Sequence, residues 1–399
     1  MRSQPTVAVA RCQADSSDAE VRDCVAGAIH SAIDLNATFA GKNKVLVKPN
    51  AGIKAVRVHS GRQISLTDAA VLAGTVATIR EAFAGEILVA DASTGVAARE
   101  VYEALGYYEA LKDLGVRLVD PNEGPYVEMK TPGGGLMFSS YAFSELLQGV
   151  DAVVSVAKMK SHVSAGVTLG LKNLFGLPPC PIYGAPRRYL HAPVRLPRVL
   201  VDVASIFPPA LTVIDGLVAQ DEREWGGPPV RMDLLLAGSN VVATDSAAAR
   251  IMGADPEADF GVAPFLFDSN PLRLAAGAGL GPNSPDGYRV VGDDPASFRR
   301  AFRADRSDLA RCREVRRAVS REALGYLERR ERLMGDYQGR YVALAEGKVL
   351  AQVQSVNELR SRTELSKQLD SETAGIYLKK VERADSDPER MDIYNELAA

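Results

Sequence analysis

Lys158, Lys160 and His162 stand on alternate positions within residues 151–179, DAVVSVAKMKSHVSAGVTLGLKNLFGLPP. They follow directly on an apolar run, 152–157, that reads as a buried strand. Strand side chains alternate between two faces, so the three would point to one side. Desolvation and neighbouring like charge both disfavour the protonated form of an amine or imidazole. A lysine tuned in this way can serve near neutral pH as a general base, a Schiff-base nucleophile or a proton donor. Left protonated, the same cluster holds a carboxylate or a phosphate. Lys158, Lys160 and His162 are therefore the catalytic candidates. Thr168, Lys172 and Asn173 follow just beyond them and are candidates for contacting the ligand.

Groups from other strand ends must complete such a site. Short apolar segments at 7–10, 44–47, 86–90 and 116–119 alternate with helical patterns at 19–35, 66–84 and 96–105. This order predicts an α/β fold, a mostly parallel, Rossmann-like open sheet with helices on both faces. Ligands of open α/β sheets sit beyond the carboxyl ends of the strands. The strand at 44–47 runs into Lys48-Pro49-Asn50, and the one at 86–90 into Asp91. Lys48 brings no turn chemistry, so Lys48 and Asn50 join the substrate-binding candidates, with His191 from the Pro-rich loop 178–197. Asp91, Asp215 and Asp245 could orient a lysine or histidine, or hold a divalent metal. Each also has a structural alternative: Asp215 precedes a glycine as a turn residue, and Asp245 starts a helical pattern where a cap belongs. Gly166, Gly170 and Gly176 match neither the dinucleotide fingerprint nor a phosphate loop, and no Gly-x-Ser-x-Gly elbow is present.

Further along, residues 127–143 read as a hairpin, 161–170 as a loop entering a helix, and 220–229, QDEREWGGPP, as an exposed acidic turn. Twelve arginines, interleaved with Asp and Glu, fall between 298 and 332, which predicts a salt-bridge-laced, solvated helical segment. Residues 337–379 predict a small β-β-α-β module with its helix at 355–368. Three parts result: an α/β core over 1–290 with the lysine/histidine site, an arginine-rich helical linker over 291–334, and a small α+β module over 335–399.

The 399 residues carry a net charge of −3, so no global field draws the chain to nucleic acid or membrane. Cys12, Cys24, Cys180 and Cys312 form no C-x-x-C pair, which speaks against a disulfide framework, a zinc ribbon or an iron–sulfur cluster. No uninterrupted apolar stretch has the length of a membrane span, and a cytoplasmic location is expected.

Several phrases together resemble the family known as domain of unknown function 362. They are VLVKPN (45–50), VAKMKSHVSAGVTLGLKNLFG (156–176), His191, VIDGL (213–217) and ATDSAAARIMG (243–253). The resemblance spans residues 1 to about 290, and many of that family's members carry a ferredoxin-like cysteine-rich segment that this chain lacks. YQGRYVALAEGKVLA (337–351) resembles a second small domain, domain of unknown function 5678. The expected activity is acid–base chemistry on a small anionic metabolite: isomerisation, elimination, cyclisation or cofactor-free rearrangement, in a setting such as specialised biosynthesis. Two alternatives stand beside it. One is a metal or redox protein using His162, His191, Asp215, Asp245 and Cys180; the other is a non-catalytic anion-binding module. The substrate, any cofactor and assembly into a homo-oligomer are left open by the sequence.

Overall fold

The computed structural model describes residues 4–303, 308–362, 365, 367 and 375–398. Its strands in chain order are β1 (Thr6–Arg11), β2 (Lys44–Pro49), β3 (Val58–His59), β4 (Arg62–Gln63), β5 (Glu86–Ala90), β6 (Val116–Val119), β7 (Tyr126–Lys130), β8 (Ser140–Ser144), β9 (Ala152–His162), β10 (Gly166–Thr168), β11 (Pro209–Gln220), β12 (Pro229–Gly238), β13 (Arg289–Gly292), β14 (Tyr341–Ala345), β15 (Lys348–Val353) and β16 (Tyr377–Lys380). The large sheet runs β13-β1-β12-β11-β9-β2-β5-β6, with β10 folded back on β9. The neighbours from β11 through β9, β2 and β5 to β6 are parallel, while β12 runs antiparallel to both β1 and β11. The fold is thus α/β with a mostly parallel central sheet, as the alternating pattern predicts.

Period-two alternation explains why these strands are apolar throughout. Val45, Val47, Ile87, Val89, Val154 and Val156 enter one core, while Leu46, Leu88, Val153 and Ala157 enter the other. Helices cover both faces. Asp18–Ala32 and Ala69–Arg80 pack on the first core, and Arg195–Ile206 and Val241–Ile251 on the second. Their starts are chemically marked. Ser17 and Glu20 form a reciprocal capping box, Asp68 accepts from Ala70 N, and Asn240 accepts from Ala243 N.

Three expectations change. The loop expected at 161–170 is instead the tight β9–β10 hairpin, in which Thr168 faces Lys160. Gly166 makes it feasible: its φ is +75°, and a Cβ there would stand 2.6 Å from the Phe265 ring. The arginine-rich segment expected to be helical over 291–334 is one long helix only from Leu309, Leu309–Tyr337, with Arg299, Arg300 and Arg303 ahead of it in non-helical chain. Part of the helix turns inward: Arg316 is buried, paired with Asp268 at 3.2 Å and stacked on Phe260. Asp305 and Arg306 lie outside the described residues. The C-terminal module forms the sheet β15-β14-β16. Its expected helix appears as a 3-10 helix at Val356–Ser361, and much of the remainder of 355–368 lies outside the described residues.

The module is tied firmly to the core. Arg195 makes two hydrogen bonds to Glu389, Nε to Oε1 at 2.9 Å and an Nη to Oε2 at 3.0 Å. Lys379 reaches the same carboxylate at 2.8 Å and Asp387 at 2.6 Å. All four side chains are buried or nearly so. Attraction from Arg195 and then Lys379 outweighs the burial penalty and holds the Glu389 carboxyl down to about 2.

Candidate functional site: a cation-lined cavity

The 11-residue β9 is buried along its whole length, including its charged end. Beyond the carboxyl ends of β2, β5 and β9 lies a cavity of about 270 Å³, at the small end of ligand cavities. Lys48, Asn50, Asp91, Lys160, His162, Thr168, Lys172, Asn173 and His191, drawn from four separate stretches of the sequence, all line it.

Lys48 ends β2. Its Nζ lies 2.9 Å from Asp91 Oδ2 and donates to the Pro49 carbonyl at 2.7 Å. Burial brings its ammonium down to about 8, against the attraction of Asp91; Arg187 adds a little in the same downward direction. Gly176 permits this approach. A Cβ there would lie 2.2 Å from Asp91 Oδ1 and 2.6 Å from Lys48 Nζ. Asn173 donates to the Lys48 carbonyl at 2.7 Å and to Ser155 Oγ at 3.1 Å. Three buried oxygens on lining residues, Asp91 Oδ1, Thr168 Oγ1 and Asn173 Oδ1, have no hydrogen-bond partner among the described residues. Buried polar atoms usually find a partner, and these belong to residues that face the cavity.

Lys160 is 1% exposed. Its Nζ donates to the Ser65 carbonyl at 2.8 Å and to Asn50 Oδ1 at 3.4 Å, and it lies 4.0 Å from the centre of the Trp225 ring. Desolvation brings this amine down to about 7; Glu224 opposes the shift, while Lys172 and Lys158 add to it. His162 Nδ1 accepts from Ser164 N at 3.1 Å and Ala165 N at 3.2 Å. A neutral ring with those bonds carries its proton on Nε2. The His162 and His191 rings stand 5.7 Å apart, and Phe175 packs edge-on against His191.

Lys158, Asp215 and Asp245 do not line this cavity. Lys158 Nζ lies 2.9 Å from Asp215 Oδ2, with both side chains fully buried and poorly aligned for a hydrogen bond. Burial pushes the Asp215 carboxyl up, and Lys158 pulls it back. The Asp68 N–H caps the same carboxylate at 2.9 Å, so the chain leading into the Ala69–Arg80 helix covers the pair. Lys158 and Lys160 share a face, but the cavity begins one step later along β9. Asp245 lies within its own helix rather than at its cap. It accepts from Gly170 N at 2.8 Å and Leu171 N at 2.7 Å, and burial raises its carboxyl to about 7. Those N–H groups open the short helix that presents Lys172 and Asn173, so Asp245 positions that helix.

The proposed ligand set His162, His191, Asp215, Asp245 and Cys180 does not converge. Among the described residues, no three His, Cys, Asp or Glu side chains are placed to share a metal ion.

Sequence reasoning missed several lining residues. The turn after β11 is not a solvent-facing acidic loop. A register shift in β11 sets Gln220 opposite Lys160, and the chain then folds over the site so that Glu224 and Trp225 line the cavity. Glu224 accepts from Val163 N at 3.1 Å, and Arg57 donates to the Gly227 carbonyl at 3.1 Å, which fasten the turn. An apolar Trp225 inside an acidic stretch was the available signal. Arg187 and Arg188 also line the cavity. Arg187 is held by the carbonyls of Pro178, at 2.7 Å, Ala92 and Gly176. Ile376 and Leu378 reach the cavity from the C-terminal module.

The lining thus carries five Lys or Arg side chains and two carboxylates. Such a cavity can hold a small anion, and it offers an amine and an imidazole suited to proton transfer near neutrality.

The sequence model of the family described as Domain of unknown function (DUF362) matches residues 45–250. All the charged lining residues fall in that span, whereas Ile376 and Leu378 lie beyond it, as does the stretch resembling the second small domain. The chain is 29% identical over 220 residues to the thylakoid-associated protein sll1697 of Synechocystis, an alignment covering 54% of this chain and 64% of that protein. Among solved structures it is similar to the lactate racemase apoprotein from Thermoanaerobacterium thermosaccharolyticum, with 14% identity, a TM-score of 0.38, and coverage of 63% of this chain and 57% of that one. A structural-genomics protein from Thermotoga maritima also aligns, at 14% identity and a TM-score of 0.32, covering 54% of each chain. No helix among the described residues is long and apolar enough to cross a membrane.

Proposed function

The chain belongs to the family described as a domain of unknown function (DUF362), and we propose that it is an enzyme that binds a small anionic metabolite and moves a proton on it. The observation that carries this reading is Lys160: an amine buried in the wall of a cation-lined cavity and brought by that burial to about 7. Both its protonation states are then substantially populated at neutral pH, the condition for efficient general acid–base work. Lys172 and Arg188 line the same cavity and supply positive charge for a carboxylate or phosphate. With the anion so held, the neutral Lys160 amine takes a proton from the adjoining carbon. His162, whose orientation is fixed by the Ser164 and Ala165 N–H groups, exchanges a proton with the other side of the reacting unit. Isomerisation needs only this pair of transfers. In an elimination the proton from His162 goes to the leaving group as its bond to carbon breaks, and in a ring closure the deprotonated carbon bonds to a carbonyl carbon whose oxygen takes that proton.

The test begins with small molecules released from the purified, denatured chain and identified by mass spectrometry. The anions found, together with a panel of small carboxylates and phosphates, are then incubated with the enzyme in deuterated water. Deuterium should appear at the carbon beside the anionic group with the wild type and not with Lys160→Met. Exchange that is absent with every anion, while binding persists, would leave a binding module in place of an enzyme.

A further inference from the structure

The charged wall of the cavity comes from residues 48–224, but two of its apolar residues come from much later in the chain, on or beside β16. Period-two alternation divides this strand's side chains. Tyr377 and Lys379 turn to Glu389, at 3.1 Å and 2.8 Å. Ile376 and Leu378, at the alternate positions, line the cavity. The anchoring is specific. Glu389 is gripped by Arg195, whose guanidinium lies 4.4 Å from the Tyr189 ring centre and 5.1 Å from that of Tyr377. A second clamp joins the module to the loop that carries Arg187 and Arg188. Asn357 Oδ1 accepts from Ala185 N at 2.9 Å, and its Nδ2 donates to the Cys180 carbonyl at 3.3 Å. Gly184 packs so tightly on Val356 that a Cβ would lie 2.4 Å from it. The module is therefore a fixed wall of the site rather than a tethered appendage.

The lining joins cations to apolar side chains: Lys172 Nζ lies 4.4 Å from the Phe175 ring centre, and Ile376 and Leu378 add uncharged surface from the C-terminal module, a mixed wall that suits a ligand with both a charged and an apolar part. We infer that the substrate is a small amphipathic anion, a carboxylate or phosphate bearing a short apolar tail, and that Ile376 and Leu378 of the C-terminal module set the length of that tail. This inference rests on the anion-binding reading of the cavity.

The test uses the full chain and isothermal titration calorimetry with the straight-chain carboxylates from acetate to decanoate, with the matching alkyl phosphates in parallel. Each methylene buried in the apolar part should tighten binding by about fourfold, up to a length at which the cavity is filled, after which affinity falls. Whichever series binds more tightly at matched length identifies the head group. Leu378→Ala should move the optimum to longer tails and Leu378→Phe to shorter ones. Opposite displacements cannot arise from a general loss of folding. Affinity that stays flat along the series, or an optimum unmoved in both variants, overturns the inference and leaves the anion site standing. Failure of every member of both series to bind removes the anion reading and this inference with it.

Discussion

Replacing Lys160 by methionine should make the protein more stable, and by an amount that depends on pH. The ordinary value for this amine is 10.5, and burial brings it to about 7 in the folded chain. That difference corresponds to roughly 5 kcal/mol of preference for the neutral form. Because the folded value is the lower one, the unfolded chain binds more protons throughout the interval, and stability rises with pH across it. The cost of Lys160 is thus greatest below about pH 7 and has vanished above about 10.5. Linkage gives about 4 kcal/mol at pH 7 and about 2 kcal/mol at pH 9. Methionine keeps most of the volume and carries no charge. It forfeits the hydrogen bonds to the Ser65 carbonyl and to Asn50 Oδ1, an offset of about 1–2 kcal/mol that changes little with pH. Urea unfolding of both proteins, followed by circular dichroism over this pH range, should show the stability gap narrowing by about 2 kcal/mol between pH 7 and pH 9. A gap that stays constant would mean that Lys160 titrates like an ordinary lysine, and the proton-transfer role built on it would fall.

Gly176→Ala places a methyl group 2.2 Å from Asp91 Oδ1 and 2.6 Å from Lys48 Nζ. It should cost about 1–3 kcal/mol in denaturant melts and weaken anion binding, because the Lys48–Asp91 pair must move; an unchanged melt would show that the contact relaxes without loss. Glu389→Gln leaves Arg195 and Lys379 buried without their shared carboxylate and should destabilise the chain by roughly 3–5 kcal/mol, measured by the shift in denaturant midpoint. The wild type holds this contribution above pH 4.5, the ordinary value for a glutamate, and loses it as pH falls towards about 2. The variant should therefore show a shallower acid limb than the wild type.

The sheet and the outline of the site were legible because both are written in local pattern. Continuous apolar runs separated by amphipathic helices specify a parallel sheet buried on both faces. Polar residues immediately after those runs then fall at one edge, which is how Lys48, Asp91, Lys160 and His162 came to be grouped. Lys158 and Asp215 fall outside the lining because period-two alternation fixes the face of a side chain but not what covers it, and the Asp68 N–H that holds Asp215 comes from a distant segment. Asp245 looked like a cap and is one, but for the helix that begins at Gly170, a relation between distant segments. The turn with Glu224 and Trp225 was hidden by its own charge, since a register shift in β11 rather than composition folds it inward. Ile376 and Leu378 left no local trace at all. Their place depends on the Arg195–Glu389 anchor, which joins residues 194 positions apart.

Trp225 offers the most direct measurement of the central claim, that this cavity is an anion site. It is the only tryptophan of the chain and it lies over Lys160 in the cavity wall. Its emission should therefore report occupancy without any label. Titration of the full chain with inorganic phosphate and a panel of small carboxylates should give a saturable change for at least one anion. That change should weaken as salt is raised and disappear in the double variant Lys172→Gln, Arg188→Gln. Emission that never saturates with any of these anions, or a saturable response that survives the double variant unchanged, would contradict the account.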